Sequence, residues 1–465
     1  MKTVVLPLAV SDATPVQMSA ETYYRIPVAP IYKSYPVYAP GREPSGYFAA
    51  LQRRAPEIAF DAAVLATDAD WVRAGELVFD APIGFGSLAG PRPVGYERDP
   101  RWLQHVRPPI AVDGTIPFYR YVIREQGKVE IGVLSCGMCH TRVMPDGTVI
   151  KGAQGNFPAE RALADDAGTV DLESIRRRER RQFAAPWLAP DAYPDLDQRS
   201  LKDIVSLHEV IPPGVVARHG TSPLVPVKVP DLIGIRDRHY LDATGLMQHR
   251  NIGDLMRYAA MNQTTDLLAR YGAFIPAGPE ARDPVQYFRS RGRGRYSDEQ
   301  LYALARYIYS LTPPTNPNRS TALTARGQQV FEREECGRCH TPPLYTNNKL
   351  TIAKGFVPRP ELFRKYDVMQ RSVGTDSDLA LKTRRGTGFY KVPSLKGVWY
   401  RGPFGHSGWA ATLEDWFDLR RTLPGYVPTA FTPDGVAPHP VIGHRFGLDL
   451  SADDKQSLMA FLRTL

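Results

Sequence analysis

Two five-residue motifs hold all four cysteines of the chain. CGMCH occupies residues 136–140 and CGRCH occupies residues 336–340. In a CxxCH motif the two thiols attach covalently to one edge of a haem, and the histidine that follows lies under the iron as its proximal ligand. We therefore predict two c-type haems, haem 1 on the first motif and haem 2 on the second. The predicted attachment and proximal residues are Cys136, Cys139, His140, Cys336, Cys339 and His340.

Two other sites use paired cysteines. Four thiolates can bind one zinc ion, and a CxxC pair can act as a thioredoxin-like redox centre. Neither explains why histidine follows the second cysteine twice. A zinc site also needs a compact knuckle, whereas 200 residues separate the two motifs. The spacing favours two haems.

The two halves of the chain repeat four features in the same order. Each half has an apolar helix, then CxxCH, then Lys-Val-Pro, then a closing helix with apolar residues at helical spacing. In the first half these lie at 73–79, 136–140, 228–230 and 297–311, and in the second at 325–331, 336–340, 391–393 and 451–465.

The repeat predicts a mainly α protein with two tandem cytochrome c domains, the first enlarged by β-hairpin and loop insertions. Residues 119–124 and 128–133 are typical of the two strands of such a hairpin. Prolines after residue 311 end the closing helix and predict a linker. The predicted segments are an extended N-terminal arm at 1–65, a first domain at 66–312, a linker at 313–320 and a second domain at 321–465.

The sixth iron ligand decides whether a haem transfers electrons or binds an oxidant. When the halves are aligned on their Lys-Val-Pro prolines, His406 falls opposite Ala243. We predict that His406 is the second axial ligand of haem 2, and that the distal face of haem 1 is open. Three residues are close enough in sequence to line that face: His239, Tyr240 and His249. The alternative for each is an ordinary structural side chain. The rival ligands for haem 2 are Met369, His439 and His444.

Residues 392–395 (VPSL), 403–408 (PFGHSG) and 412–414 (TLE), taken with two CxxCH motifs, resemble the second haem domain of bacterial di-haem cytochrome c peroxidases and MauG. The resemblance covers mainly 321–465 and, more loosely, 228–311. It implies an electron-transfer haem and a peroxide-reactive haem close together in one chain.

The first half departs from that family at the reactive site. The family places a Gln and a Glu there for acid–base work, and these positions fall on Leu241 and near Gly253. Gln248 and Asp254 are the candidate substitutes for the family's Gln and Glu. The predicted catalytic residues are therefore His239, Tyr240, His249 and Asp254.

Two alternatives to a peroxidase stay open. The wide haem spacing and the insertions are similar to the rubber-oxygenase branch of the superfamily, which binds dioxygen at the N-terminal haem and cleaves carbon–carbon double bonds. The other alternative is a two-haem electron carrier without catalysis. An oxygenase needs an apolar pocket. One apolar stripe has two interpretations, as the lining of such a pocket or as plain core: Leu241, Leu246, Met247, Ile252 and Met256.

Composition bounds the partners. The formal net charge is +9, and the densest basic run, 176–181, is short and broken by Glu179. This pattern predicts a solvated helix face and argues against nucleic-acid binding. No run reaches the roughly 18 apolar residues of a membrane span.

A mildly basic surface suits an acidic redox partner such as a small cytochrome or cupredoxin, with a small-molecule substrate as the alternative. Covalent haem attachment implies a periplasmic or secreted protein. Calcium occurs between the domains of relatives, but no Asp/Asn-rich loop in this sequence demands it.

Overall fold

The computed structural model describes residues 6–10, 15–86, 98–189, 191, 193–218, 220–263, 265–432 and 439–465. The α-helices span Ala20–Arg25, Tyr47–Gln52, Asp68–Asp80, Pro100–Val106, Cys136–Cys139, Ala159–Ala167, Leu172–Phe183, Leu201–Glu209, Ile252–Asn262, Pro284–Arg289, Asp298–Ser310, Ala322–Arg333, Pro360–Lys365, Asp378–Leu381, Leu413–Trp416 and Ala452–Arg463. The strands span Ser34–Tyr38, Gly84–Phe85, Thr115–Glu125, Lys128–Val133, Thr141–Val143, Val149–Lys151, Val215–Val216, Val227–Lys228, Tyr240–Leu241, Met247–Gln248, Leu350–Ile352, Val368–Met369 and Phe389–Lys391.

The first and fourth repeated features pack against each other in both halves. Helix Asp68–Asp80 crosses Asp298–Ser310, and helix Ala322–Arg333 crosses Ala452–Arg463. At each crossing the first helix carries a glycine. A Cβ on that glycine would overlap a backbone carbonyl of the partner helix, at Ala303 for Gly75 and at Ser457 for Gly327. The repeat therefore places glycine where the two helix backbones approach most closely.

The predicted hairpin is confirmed. Strands Thr115–Glu125 and Lys128–Val133 pair antiparallel around Gly127, whose φ of 83° suits a tight turn. Strand Ser34–Tyr38 adds to one side of this pair and Gly84–Phe85 to the other. The N-terminal segment that we expected to be an extended arm thus contributes a strand to the sheet of the first half.

Each crossing helix pair covers a core that reaches a cysteine of the nearby motif. In the first half, Phe79, Leu304 and Met247 are fully buried beside Cys136. In the second half, Phe331 and Phe461 pack beside Cys336. The fold therefore sets one CxxCH motif at the edge of each core. Within the described ranges, no helix is long and apolar enough to cross a membrane.

Candidate functional site

Both CxxCH motifs form a helical turn. Ser135 caps the first turn by accepting a hydrogen bond from the Met138 amide at 3.0 Å. The amides of His140 and His340 each donate to the carbonyl of the first cysteine of their motif, at 2.9 Å in both halves. All four cysteines are free thiols. Each turn therefore presents two thiols and an imidazole together, as covalent haem attachment requires.

The Lys-Val-Pro feature explains how each motif histidine is oriented. His140 Nδ1 lies 3.0 Å from the carbonyl oxygen of Pro230, and His340 Nδ1 lies 3.1 Å from that of Pro393. Burial lowers the pKa of both imidazoles, that of His140 to about 4. Each ring is therefore neutral, donates through Nδ1 and keeps Nε2 for a metal.

The ring that faces His340 belongs to His444. Their centroids are 6.4 Å apart and their planes are inclined at 55°. Two imidazoles bound to one iron through bonds of about 2 Å have centroids roughly 6 Å apart. Of the rival ligands for haem 2, His444 is therefore the one that the structure brings to bridging distance of His340.

His444 sits in a backbone held from both sides. Its φ of 50° lies in the left-handed region, which is strained for a histidine. Its amide donates to Val373 O at 2.7 Å, and its carbonyl accepts from Arg421 at 2.9 Å. The guanidinium of Arg421 is completely buried and also donates to the carbonyls of Val441 and Gly443.

The imidazole of His444 has a buried nitrogen without a partner. Among the described residues, Nδ1 forms no hydrogen bond, and burial lowers the pKa of the ring to about 4. The backbone of His444 is strained, and its neutral ring has lost water at Nδ1 without gaining a hydrogen bond there from the described residues. Another group is therefore needed to interact with the ring. A metal between His444 and His340 would supply that compensation.

The predicted ligand His406 lies elsewhere. Its ring stacks on Tyr390 at 4.1 Å, and its Nε2 lies 3.1 Å from the carbonyl of Asp376. The structure thus brings His444, and not His406, to His340. The rival Met369 has its sulfur 3.2 Å from the side-chain amide of Asn347. The backbone amide of His439 donates to the carbonyl of Tyr426.

The alignment partner of His406 also lies away from the first motif. Ala243 packs beside Tyr390, and its carbonyl accepts from the amide of Lys391. Both aligned positions therefore belong to the contact between the two halves. The assignment of His406 as an axial ligand stays a prediction from the alignment, and the geometry favours His444.

The histidines and tyrosine predicted for the distal side of haem 1 have structural partners. His249 is bonded through Nδ1 to the carbonyl of Arg238 at 2.7 Å and through Nε2 to the hydroxyl of Tyr309 at 2.6 Å. The hydroxyl of Tyr240 accepts from the Asp367 amide in a core of the second half. His239 is exposed.

Asp254 is held as an anion. Its carboxylate is fully buried and pairs with both Arg250 and Arg257. Although burial alone would raise its pKa, these partners lower it to about 2. Asp254 therefore stabilises the start of helix Ile252–Asn262 and has no proton to donate near neutral pH. The predicted apolar stripe packs into the core beside Cys136.

A cavity of about 960 Å³ opens beside the first motif. It is bordered by Cys139, and its wall carries arginines from helix Leu172–Phe183 together with Arg218. Arg218 also lies close enough to the Cys139 thiol to act on its pKa. The run at 176–181 is a helix, as predicted, but part of it lines this cavity.

One buried carboxylate of this cavity was missed by sequence reasoning. Glu160 is 5% exposed and lies close enough to Cys139 to act on the pKa of its thiol. Its Oε2 lies 2.6 Å from Nδ1 of His208, and its Oε1 accepts from the Ala217 amide at 2.9 Å. On its other side, His208 Nε2 lies 3.2 Å from Glu179.

The chain Glu160–His208–Glu179 is fully removed from solvent. Burial by itself lowers the pKa of His208, but Glu179 and Glu160 outweigh it and raise that pKa to about 9. The imidazole is therefore charged near neutral pH and holds a proton between two carboxylates. The one trace of this chain in the sequence is Glu179, which interrupts the basic run at 176–181. That run predicts a solvated helix face, whereas the structure buries Glu179.

These residues fit two haems. The free thiols, the neutral motif imidazoles and the orphaned nitrogen of His444 match the attachment and axial groups of haem c. Over the described ranges, no cluster of three or more His, Cys, Asp or Glu residues could hold a separate metal ion such as calcium.

No protein-family model matches the sequence, and no curated protein matches it. Among solved structures, a hydrazine synthase of Kuenenia stuttgartiensis is similar at 16% identity and a TM-score of 0.28, covering 52% of this chain and 73% of that one. A MauG-like protein associated with microbial copper homeostasis is similar at 17% identity and a TM-score of 0.33, covering 63% and 88%. Similarity at this level carries no argument about this chain's fold or activity.

Proposed function

We propose that this chain is a di-haem c-type oxidoreductase of the peroxidase/MauG type. Haem 2 would transfer electrons and haem 1 would react with peroxide. One contrast carries the proposal. Both motif histidines are held alike by a proline carbonyl, and among the residues that the structure describes His340 faces a second imidazole, that of His444. Among the described residues, no histidine ring contacts that of His140.

The side chains divide the work between the two sites. Haem iron closed by two imidazoles supplies electron transfer, and open haem iron binds peroxide or dioxygen. His340 and His444 hold the closed position, and Pro393 fixes the ring of His340. His140 holds the open position beside the cavity, with Pro230 in the corresponding role.

Glu160 is the acid–base residue that we assign to the cavity. Reduction of peroxide needs a proton to be taken from one oxygen and delivered to the other. Glu160 Oε2 is able to exchange a proton with His208 Nδ1 across 2.6 Å. The other cavity carboxylates do not offer this, because Asp266 pairs with Arg385 and Glu280 is exposed.

The cavity wall favours a small polar oxidant over an apolar polymer. Arg177, Arg178, Arg181 and Arg218 all border it, whereas binding of an apolar chain needs a surface without buried cations. The oxygenase remains an alternative to the peroxidase. The spectrum of the holo-protein distinguishes both enzymes from a two-haem electron carrier.

The spectrum of the purified holo-protein tests the proposal. We expect two covalent haems per chain and, in the oxidised state, one low-spin and one high-spin haem of equal amount. After reduction, carbon monoxide should bind one haem only. Two low-spin haems that ignore carbon monoxide would establish the carrier, and a stable dioxygen complex without peroxide turnover would establish the oxygenase.

Glu160→Gln tests the acid–base assignment. We expect the peroxide reaction to slow by about 10²–10⁴-fold, because the cavity loses its proton acceptor. Stopped-flow mixing of oxidised protein with peroxide measures this rate. Binding of cyanide, which enters as a neutral acid and must lose its proton, should slow as well.

Glu280→Gln is the matched control for Glu160→Gln. It removes the same charge from the same cavity, but at an exposed position. Its rates should stay near those of the wild type. If both substitutions slowed the peroxide reaction equally, the cause would be the loss of a negative charge from the cavity. Proton transfer by Glu160 would then be ruled out.

A further inference from the structure

The repeat preserves two cations around each proline that orients a motif histidine. A lysine precedes each proline by two residues, Lys228 in the first half and Lys391 in the second. An arginine follows each by eight residues, at Arg238 and Arg401. None of these four orients the imidazoles, which are held by backbone carbonyls: Pro230 for His140, and Pro393 with Tyr345 for His340.

The four cations meet in one place between the two halves. Lys228 is close enough to Lys391 and Arg401 to be destabilised by their charges, and Lys391 is destabilised by Arg238. Arg401 destabilises the charged form of Arg238 in the same way. The Lys228 amide also donates to the carbonyl of His406 in the second half, at 2.8 Å.

The cluster has too few anions. Asp231 is its internal carboxylate, with Oδ2 at 3.6 Å from Nε of Arg401 and 3.1 Å from the hydroxyl of Tyr400. Of the two other acids nearby, Asp242 pairs with Arg385, and Asp237, which acts on Arg238, is exposed. Neither lysine ammonium forms an ion pair or hydrogen bond with a described residue.

Burial adds to the cost of this arrangement. It lowers the pKa of Lys228 to about 7 and that of Lys391 to about 8, and in both cases the neighbouring cations lower it further. Nε of Arg401 is buried without a hydrogen-bond partner. Partly buried cations that repel one another are stabilised by anions, and the described residues supply too few of them.

We propose that this cluster of Lys228, Lys391, Arg238 and Arg401 binds the propionate carboxylates of both haems together. Two haems bring four carboxylates, which match the four cations. Lys228 and Lys391 each stand two residues before a proline that holds a motif imidazole, so haems held by those imidazoles would bring their edges toward this cluster. The inference rests on the proposed presence of two haems.

Replacing the lysines in the holo-protein tests the inference. A cation beside a propionate stabilises the reduced haem, since reduction removes positive charge from the iron. Both Lys228→Met and Lys391→Met should therefore shift the oxidation–reduction equilibrium of both haems about tenfold toward the oxidised form, which is about 59 mV for a one-electron couple. Spectroelectrochemical titration follows the high-spin and low-spin haems separately.

The controls separate this inference from the proposed function. Lys396→Met removes an exposed charge from the same loop and should leave both potentials unchanged. Lys228→Arg keeps the charge and should therefore shift the potentials less than Lys228→Met does. Two haems per chain with unchanged potentials in both methionine variants would overturn the cluster assignment alone, whereas absence of haem would overturn the proposed function. A shift confined to one haem in each variant would overturn the shared site. If one methionine variant does not fold, the other tests the cluster from the opposite half.

Discussion

His444→Ala should convert haem 2 from a low-spin to a high-spin centre. The substitution removes the imidazole that faces His340 at 6.4 Å, so the iron would lose its sixth ligand and become able to bind exogenous ligands. We expect the low-spin signal to disappear from the electron paramagnetic resonance spectrum, and carbon monoxide to bind two haems per chain where it bound one. Electron transfer to haem 1 should slow because the closed centre now reorganises when its charge changes.

The companion variant His406→Ala decides between the two histidine assignments. His406 stacks on Tyr390 and lies near the Lys228 cluster, so its loss should alter packing while haem 2 stays low-spin. If His406→Ala, and not His444→Ala, abolished the low-spin signal, the sequence-based assignment would be right and the geometric one wrong. Added imidazole should restore the low-spin spectrum of His444→Ala, a rescue that a general loss of folding would not show.

Replacing both Cys136 and Cys139 by serine should leave one haem per chain, with the low-spin spectrum alone. In the proposed function these thiols would anchor haem 1, and they sit in separate surroundings from the thiols of the second motif. Peroxide consumption and carbon monoxide binding should both disappear, while the low-spin haem should still be reduced by an electron donor.

The matched variant Cys336→Ser with Cys339→Ser should give the reverse result. Haem content measured after acid–acetone extraction, which removes haem that is not covalently bound, checks both. If loss of the first motif left the peroxide reaction intact, our assignment of haem 1 as the reactive centre would be wrong. In that case the Glu160 cavity would have no catalytic role.

Sequence patterns predicted the elements with strong local signals. The crossing helices at 73–79 and 325–331, the closing helices at 297–311 and 451–465, and the hairpin are all present. These elements follow from helical spacing, caps and alternation, which act over short distances. Whether the two halves are tandem cytochrome c domains stays a prediction.

The site residues were harder to predict, because they depend on contacts between distant segments. His406 was chosen by counting from a proline, but the loop that follows turns it onto Tyr390. His444 had no motif, and its position depends on the buried Arg421 and on Val373. Glu160 and His208 likewise lie on separate helices that meet in the folded protein. No sequence motif identifies either residue, and they are recognised in the structure because they are buried and charged.

The strained loop around His444 has a consequence for maturation. The thiols of the second motif lie about 100 residues before His444 (444 minus 339), so haem 2 would gain its sixth ligand only when the intervening chain has folded back onto the motif. Closing so long a loop carries an entropic cost, which is met only once Arg421 is buried and its carbonyl partners are in place. The spin state of haem 2 would then report whether the carboxyl-terminal part of the chain has finished folding.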